Sequence, residues 1–134
     1  MSQAERELLR AGYEALSRGD WDTAYSAGFF SPEFELKTSD RVMGAGTYRG
    51  PEEARRLFAD LVEPFEEVTV EPTEFFERGD QTVVYVRMRL RPPGSSATVE
   101  YLVGHLWTFR ENKATRLEMF PRREDALEAA GVRE

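Results

Sequence analysis

His105 is the only histidine in this chain of 134 residues, and it stands in the middle of an alternating run in which Val99, Tyr101, Val103, Trp107 and Phe109 share its parity. An imidazole with an ordinary pKa of about 6.5 can give or take a proton at working pH, so a histidine on an apolar face is a candidate general base. Turn geometry supplies a partner. Glu111-Asn112 reads as a two-residue hairpin turn that pairs Arg110 with Lys113. Counting back along both strands sets Phe109 opposite Ala114, Trp107 opposite Arg116 and His105 opposite Glu118. Directly opposed side chains share a face, with Cβ atoms about 4.5–5.5 Å apart. The expectation is a His105–Glu118 dyad on the interior face, with Glu118 orienting the ring and raising its basicity. Arg116, one step along, would meet a carboxylate or enolate on a ligand. A longer turn shifts this register. The same two residues would also serve as a buried hydrogen-bonded pair with no chemistry, and Arg116 as the ion-pair partner of Glu118.

The elements that must position these groups fall into a helical first part and a strand-rich second part. Residues 2–18 form an amphipathic helix with Leu8, Leu9, Ala11, Gly12, Ala15 and Leu16 at three- and four-residue spacings, a capping box at Ser2 and Glu5, and a stop at Gly19. A short second helix follows over residues 21–28, presenting Trp21, Ala24 and Tyr25, and Ser31-Pro32 ends it. Residues 34–37 read as a short strand. Residues 38–50 read as an irregular loop with Gly44, Gly46 and Gly50, a candidate pocket rim on which Tyr48 and Met43 would be lid residues. Pro51 opens a third helix to about residue 62, with Ala54, Leu57, Phe58 and Leu61 on its buried face.

After Pro64 the period changes to two, giving strands over residues 68–76, 82–90, 99–110 and 114–120 joined by short turns, hence antiparallel neighbours. Residues 123–130 form a closing helix. On the strand at 82–90 the even positions Val84, Val86, Met88 and Leu90 are apolar and should line the concave side. Val84, Val86 and Met88, together with Tyr101, Val103, Trp107 and Phe58, are the expected walls of a ligand pocket, although each would fit plain core packing. Arg87, Arg89 and Arg91 fall on the convex side by parity.

One domain over residues 1–134 fits the length, and 40% apolar residues suffice for a core without a staple. The absence of cysteine excludes thiol chemistry, and the net charge of -7 argues against a nucleic-acid partner. No phosphate loop, metal-ligand set or nucleophile elbow is present, so no metal or cofactor is expected. The charged start and the lack of a long apolar run predict neither a signal peptide nor a membrane span, and a cytoplasmic protein.

Four segments, residues 15–22, 48–54, 104–110 and 124–131, resemble in type and order the NTF2-like superfamily, and within it the SnoaL-like (polyketide cyclase-like) family. The resemblance implies an α+β cone: a strongly curved, mostly antiparallel sheet wrapped on N-terminal helices around one internal pocket. It also implies a homodimer formed through the convex face. Better-known relatives do not transfer cleanly. In ketosteroid isomerases of this fold the base falls near Thr38, with Asp40 nearby, the oxyanion-hole acid near His105 and the first-helix tyrosine near Gly12, one residue from Tyr13. Limonene-epoxide hydrolases place one carboxylate near Glu118, but its partners would be Tyr101 and Val103, which cannot do that work. The SnoaL-type pairing of a pocket histidine with a carboxylate matches His105 and Glu118 best. The reading that follows is a pocket for a small apolar carbonyl or ring compound, with acid/base cyclisation, isomerisation or hydration as its chemistry. The alternative is a non-catalytic binding or accessory protein of the same fold.

Overall fold

The computed structural model describes residues 2–18, 20, 22, 29–38 and 46–131. Helix α1 (Gln3–Ser17) opens on the expected capping box: the Glu5 amide donates to Ser2 Oγ at 3.1 Å and the Ser2 amide donates to Glu5 Oε1 at 3.0 Å. Glu5 Oε2 accepts from the Asn112 amide at 3.1 Å, so the start of the helix is pinned to the last hairpin turn. Of the second helix, Trp21, Ala24 and Tyr25 lie outside the described residues, as do Gly19, Asp40, Met43 and Gly44.

The remaining elements are β1 (Phe30–Thr38), β2 (Gly46–Arg49), α2 (Pro51–Val62), β3 (Glu67–Arg78), β4 (Gln81–Arg91), β5 (Val99–Arg110), β6 (Lys113–Phe120) and α3 (Arg123–Ala129). The six strands form one sheet in the order β2-β1-β6-β5-β4-β3, antiparallel except where β1 runs parallel to β6. This is the α+β, mostly antiparallel architecture expected, with two corrections. Ser31-Pro32 does not precede the first strand but lies inside it: Phe30 already pairs with Ala114, and the register then slips before Glu35 meets Arg116. Pro32, which has no N–H to give, falls in that unpaired stretch. The stretch expected as loop ends in an edge strand, where Tyr48 sits opposite Leu36 and packs, half-buried, against the core. Tyr48 is sheet wall, not lid.

Two bulges decide which side chains face inward. On β3, Pro72 pairs with Val86 and Glu74 with Tyr85, leaving Thr73 as the extra residue. On β6, Ala114 pairs with Phe109 and Arg116 with Thr108, leaving Thr115. Each extra threonine donates its hydroxyl to the carbonyl across the strand pair, Thr73 to Tyr85 and Thr115 to Thr108, both at 3.2 Å. A bulge shifts every later residue on its strand by one place, hence to the other face.

The concave side carries the main core, in which Leu9 and Tyr13 of α1 and Ala54 and Leu57 of α2 close over Val84, Val86, Trp107, Phe109, Leu117 and Met119. The convex side is not bare. Val83, Tyr85 and Leu106 form a second core under α3, through Ala126, Leu127 and Ala130. Gly104 permits that contact: a Cβ there would stand 2.8 Å from both Ala126 Cβ and Arg123 Cα. Beyond α3 the convex face is charged, with Arg87 and Arg89 sharing Glu100. No described helix is long and apolar enough to cross a membrane.

Candidate functional site

The bulge at Thr115 undoes the expected dyad. His105 stands opposite Met119, not Glu118, while Glu118 stands opposite Leu106 and so points to the convex side. There it pairs with Arg116, Nη2 to Oε1 3.3 Å, and both are partly exposed. The turn itself is the two-residue one expected, with Glu111 and Asn112 at φ 52° and 64° as a type I′ turn requires. The extra residue lies three places past the turn, and counting from the turn alone overlooks it, although the apolar Leu117 and Met119, alternating with the charged Arg116 and Glu118, carry its trace.

His105 has a different partner. Its Nδ1 lies 2.6 Å from Tyr13 Oη, and the same oxygen accepts from Trp107 Nε1 at 2.8 Å. The Tyr13 and His105 ring planes are 17° from parallel with centroids 5.8 Å apart. All three residues are buried. Helix α1 brings Tyr13 down on the sheet because Leu9 and Tyr13 lie one turn apart on its inward face. His105 and Trp107 project from the same face of β5 because they are two residues apart.

This trio borders a cavity between α1, α2 and the sheet. Leu9, Gly12, Tyr13 and Leu16 line it from α1, Phe29 from just before β1, Phe30 and Phe34 from β1, and Phe58 from α2. His105, Trp107 and Leu117 form its floor. About 20 Å³ is open to the centre of a water-sized molecule, room for one or two waters. Trp107 is the hub of the aromatic wall, with Phe29 and Tyr13 edge-on to it at 5.6 and 6.2 Å and Phe34 tilted at 6.4 Å.

The electrostatics of the trio follow from burial. Desolvation lowers the His105 pKa to about 4, so the ring is neutral at pH 7. Desolvation also pushes the Tyr13 phenol up, against a smaller opposing effect of the Trp107 hydrogen bond, so it keeps its proton. Among the described residues the cavity lining therefore carries no charge, and no group of three or more His, Asp or Glu side chains comes together as metal ligands would.

Of the residues expected at the site, the structure brings His105, Trp107 and Phe58 to the cavity. Val86 is buried in the core beyond it, and Met88 packs half-buried against that core. Tyr101 is 51% exposed, towards the open end of β5. Arg116 and Glu118 lie on the far side of the sheet, and Tyr48 on the edge strand, none of them at the cavity. Tyr13 was missed, though its spacing from Leu9 would have placed it on the inward stripe. The Phe29-Phe30 doublet and Phe34 were missed because Ser31-Pro32 suggested a break there.

A family model described as a SnoaL-like domain matches residues 9–117. Among solved structures, TerC co-crystallised with polyporic acid is 24% identical over 88% of this chain and 91% of its own, with a TM-score of 0.76. An NTF2-like protein of unknown function from Burkholderia pseudomallei is 21% identical over 96% and 97%, TM-score 0.77. A protein of ketosteroid isomerase-like fold from Catenulispora acidiphila, in complex with trimethylamine, is 16% identical over 95% and 94%, TM-score 0.72. No curated protein matches the chain. At these identities the structural likeness establishes the NTF2-like fold.

Proposed function

For a chain that belongs to the SnoaL-like domain family, we propose a pocket protein that takes a small, mainly apolar ring compound against Trp107, with His105 as the polar group that meets it. The observation that carries this reading is a buried histidine at the floor of an otherwise aromatic and aliphatic cavity. A ring compound exceeds the present room, so its entry displaces lining side chains. Leu16, Phe30 and Phe58, the half-buried members of the lining, are the ones nearest to giving way. Two structural neighbours were crystallised with an acid and with an amine, so the lining rather than the fold must select the ligand.

Binding without turnover is favoured over acid/base chemistry. Once Glu118 is on the far side, the described cavity holds two titratable groups, Tyr13 and His105: the phenol keeps its proton, and His105 has no carboxylate beside it, among the described residues, to raise a basicity that burial lowers. The test is an NMR titration with acetophenone, comparing the wild type with Gly12→Leu, whose side chain would fill the cavity from α1. Shift changes should map to the Trp107, Phe58 and His105 surroundings and vanish in the variant. Changes confined to other surfaces, or unaltered in Gly12→Leu, would sink the pocket reading.

The uncovered convex face supports a homodimer. Arg87 and Arg89 alternate there with Glu71 and Glu100, a pattern complementary to its own copy, around the 42% exposed Leu102. Sedimentation of Leu102→Glu against the wild type tests it. A wild type that sediments as a monomer removes it.

A further inference from the structure

The three-membered chain at the cavity floor fixes which ring nitrogen of His105 carries the proton. Trp107 Nε1 can only donate, and it takes one lone pair of Tyr13 Oη. If Nδ1 were protonated, it too would donate to Tyr13 Oη. The Tyr13 hydrogen would then have no acceptor among the described residues, and Nε2 would be left a bare acceptor. If Nε2 is protonated, the Tyr13 hydroxyl donates to Nδ1, and one uncommitted group remains instead of two. Buried polar groups settle in the arrangement that leaves fewest unmet.

We propose that Trp107 and Tyr13 hold His105 as the Nε2–H tautomer, so that the site offers a neutral hydrogen-bond donor and selects uncharged ring compounds bearing an accepting oxygen. This deepens the pocket reading and rests on it. His105 is 4% exposed, its Nδ1 is committed to Tyr13, and Nε2 is its one polar atom left for the cavity it lines. A donor there is met by a carbonyl oxygen. A carboxylate would enter a lining without a cation to pair it, and an ammonium would find a donor where it needs an acceptor. His105 thus polarises a carbonyl rather than removing a proton. Tyr13 is a positioning residue: it acts on a ligand through the imidazole.

The lone histidine makes the test direct. In the wild type at pH 7, the ¹⁵N shifts of its ring should show a protonated Nε2 and an unprotonated Nδ1. Acetophenone should bind about tenfold more tightly than ethylbenzene, which has the same ring without the oxygen, and more tightly than benzoate or phenyltrimethylammonium. Tyr13→Phe should move the ¹⁵N pattern toward a mixture of tautomers and shrink the acetophenone preference, which a purely structural role for Tyr13 would not do. If that variant does not fold, the wild-type shifts and probe ranking decide alone. A protonated Nδ1, equal binding of ethylbenzene, or tightest binding of either charged probe overturns the donor proposal while leaving the pocket. If no probe binds, the pocket reading fails and this inference falls with it.

Discussion

Tyr13 Oη lies 2.8 Å from Trp107 Nε1 and accepts its hydrogen, and it is the only partner that indole has among the described residues. The same oxygen serves His105, so one phenol satisfies two buried side chains. Removing it strands both. Tyr13→Phe should therefore destabilise the protein by on the order of 3 kcal/mol, since each unmet buried group costs about 1–3 kcal/mol. Urea unfolding of the two proteins checks this. A midpoint within error of the wild type would mean that water or a side-chain shift replaces the phenol.

The burial of His105 makes stability depend on pH. Its folded pKa of about 4 lies below the unfolded value, so between the two the unfolded chain holds the extra proton. The contribution is fully present above about pH 6.5 and is lost as the pH falls toward about 4, amounting to about 3 kcal/mol. Subtracting the stability-pH curve of His105→Gln from that of the wild type isolates this part from the carboxylates. A flat difference curve between pH 7 and 4 would mean that the ring takes up its proton at the same pH in the fold as in the unfolded chain.

Much of this architecture was legible in the sequence because it rests on period and punctuation. The capping box of Ser2 and Glu5, Pro51 at a helix start and the alternation on β4 and β5 are local signals, and each element lies where they put it. The site was legible only in part. His105, Trp107 and Phe58 follow from parity and helical spacing, and they do line the cavity. The dyad failed because a single bulged residue, Thr115, reverses the faces of Arg116 and Glu118; counting from the turn overlooks it, whereas the apolar Leu117 and Met119 that alternate with the two charges already mark the inner face. The convex core failed for another reason. Parity shows that Val83 and Tyr85 share a face with Arg87, but only the chain's return as α3 shows that this end of the face is covered.

That return depends on Gly104. A Cβ there would meet backbone at Arg123 and the methyl of Ala126 at 2.8 Å, and neither can step aside without moving α3. Gly104→Ala should cost about 1–3 kcal/mol despite adding one methyl group. Gly12, inside α1, is the contrast. A Cβ would sit at an ordinary 4.0 Å from Phe29, so Gly12→Ala should gain about 1 kcal/mol from helix propensity while narrowing the cavity. Thermal unfolding of both variants checks the opposite signs. Two changes of the same sign would contradict the packing on one of the two faces.

Glu118 separates the register seen here from the one turn geometry suggests. Were it beside His105 in the interior, Glu118→Gln would move the imidazole pKa and strand part of a buried pair. In the observed register it meets Arg116 on the outer face, with side chains 21% and 44% exposed. Partly exposed pairs contribute little, so the substitution should cost no more than about 1 kcal/mol. The His105 ring shifts and titration should be unchanged, because the sheet lies between them. A change in the His105 ring shifts in Glu118→Gln would place the carboxylate back on the inner face and reinstate the dyad.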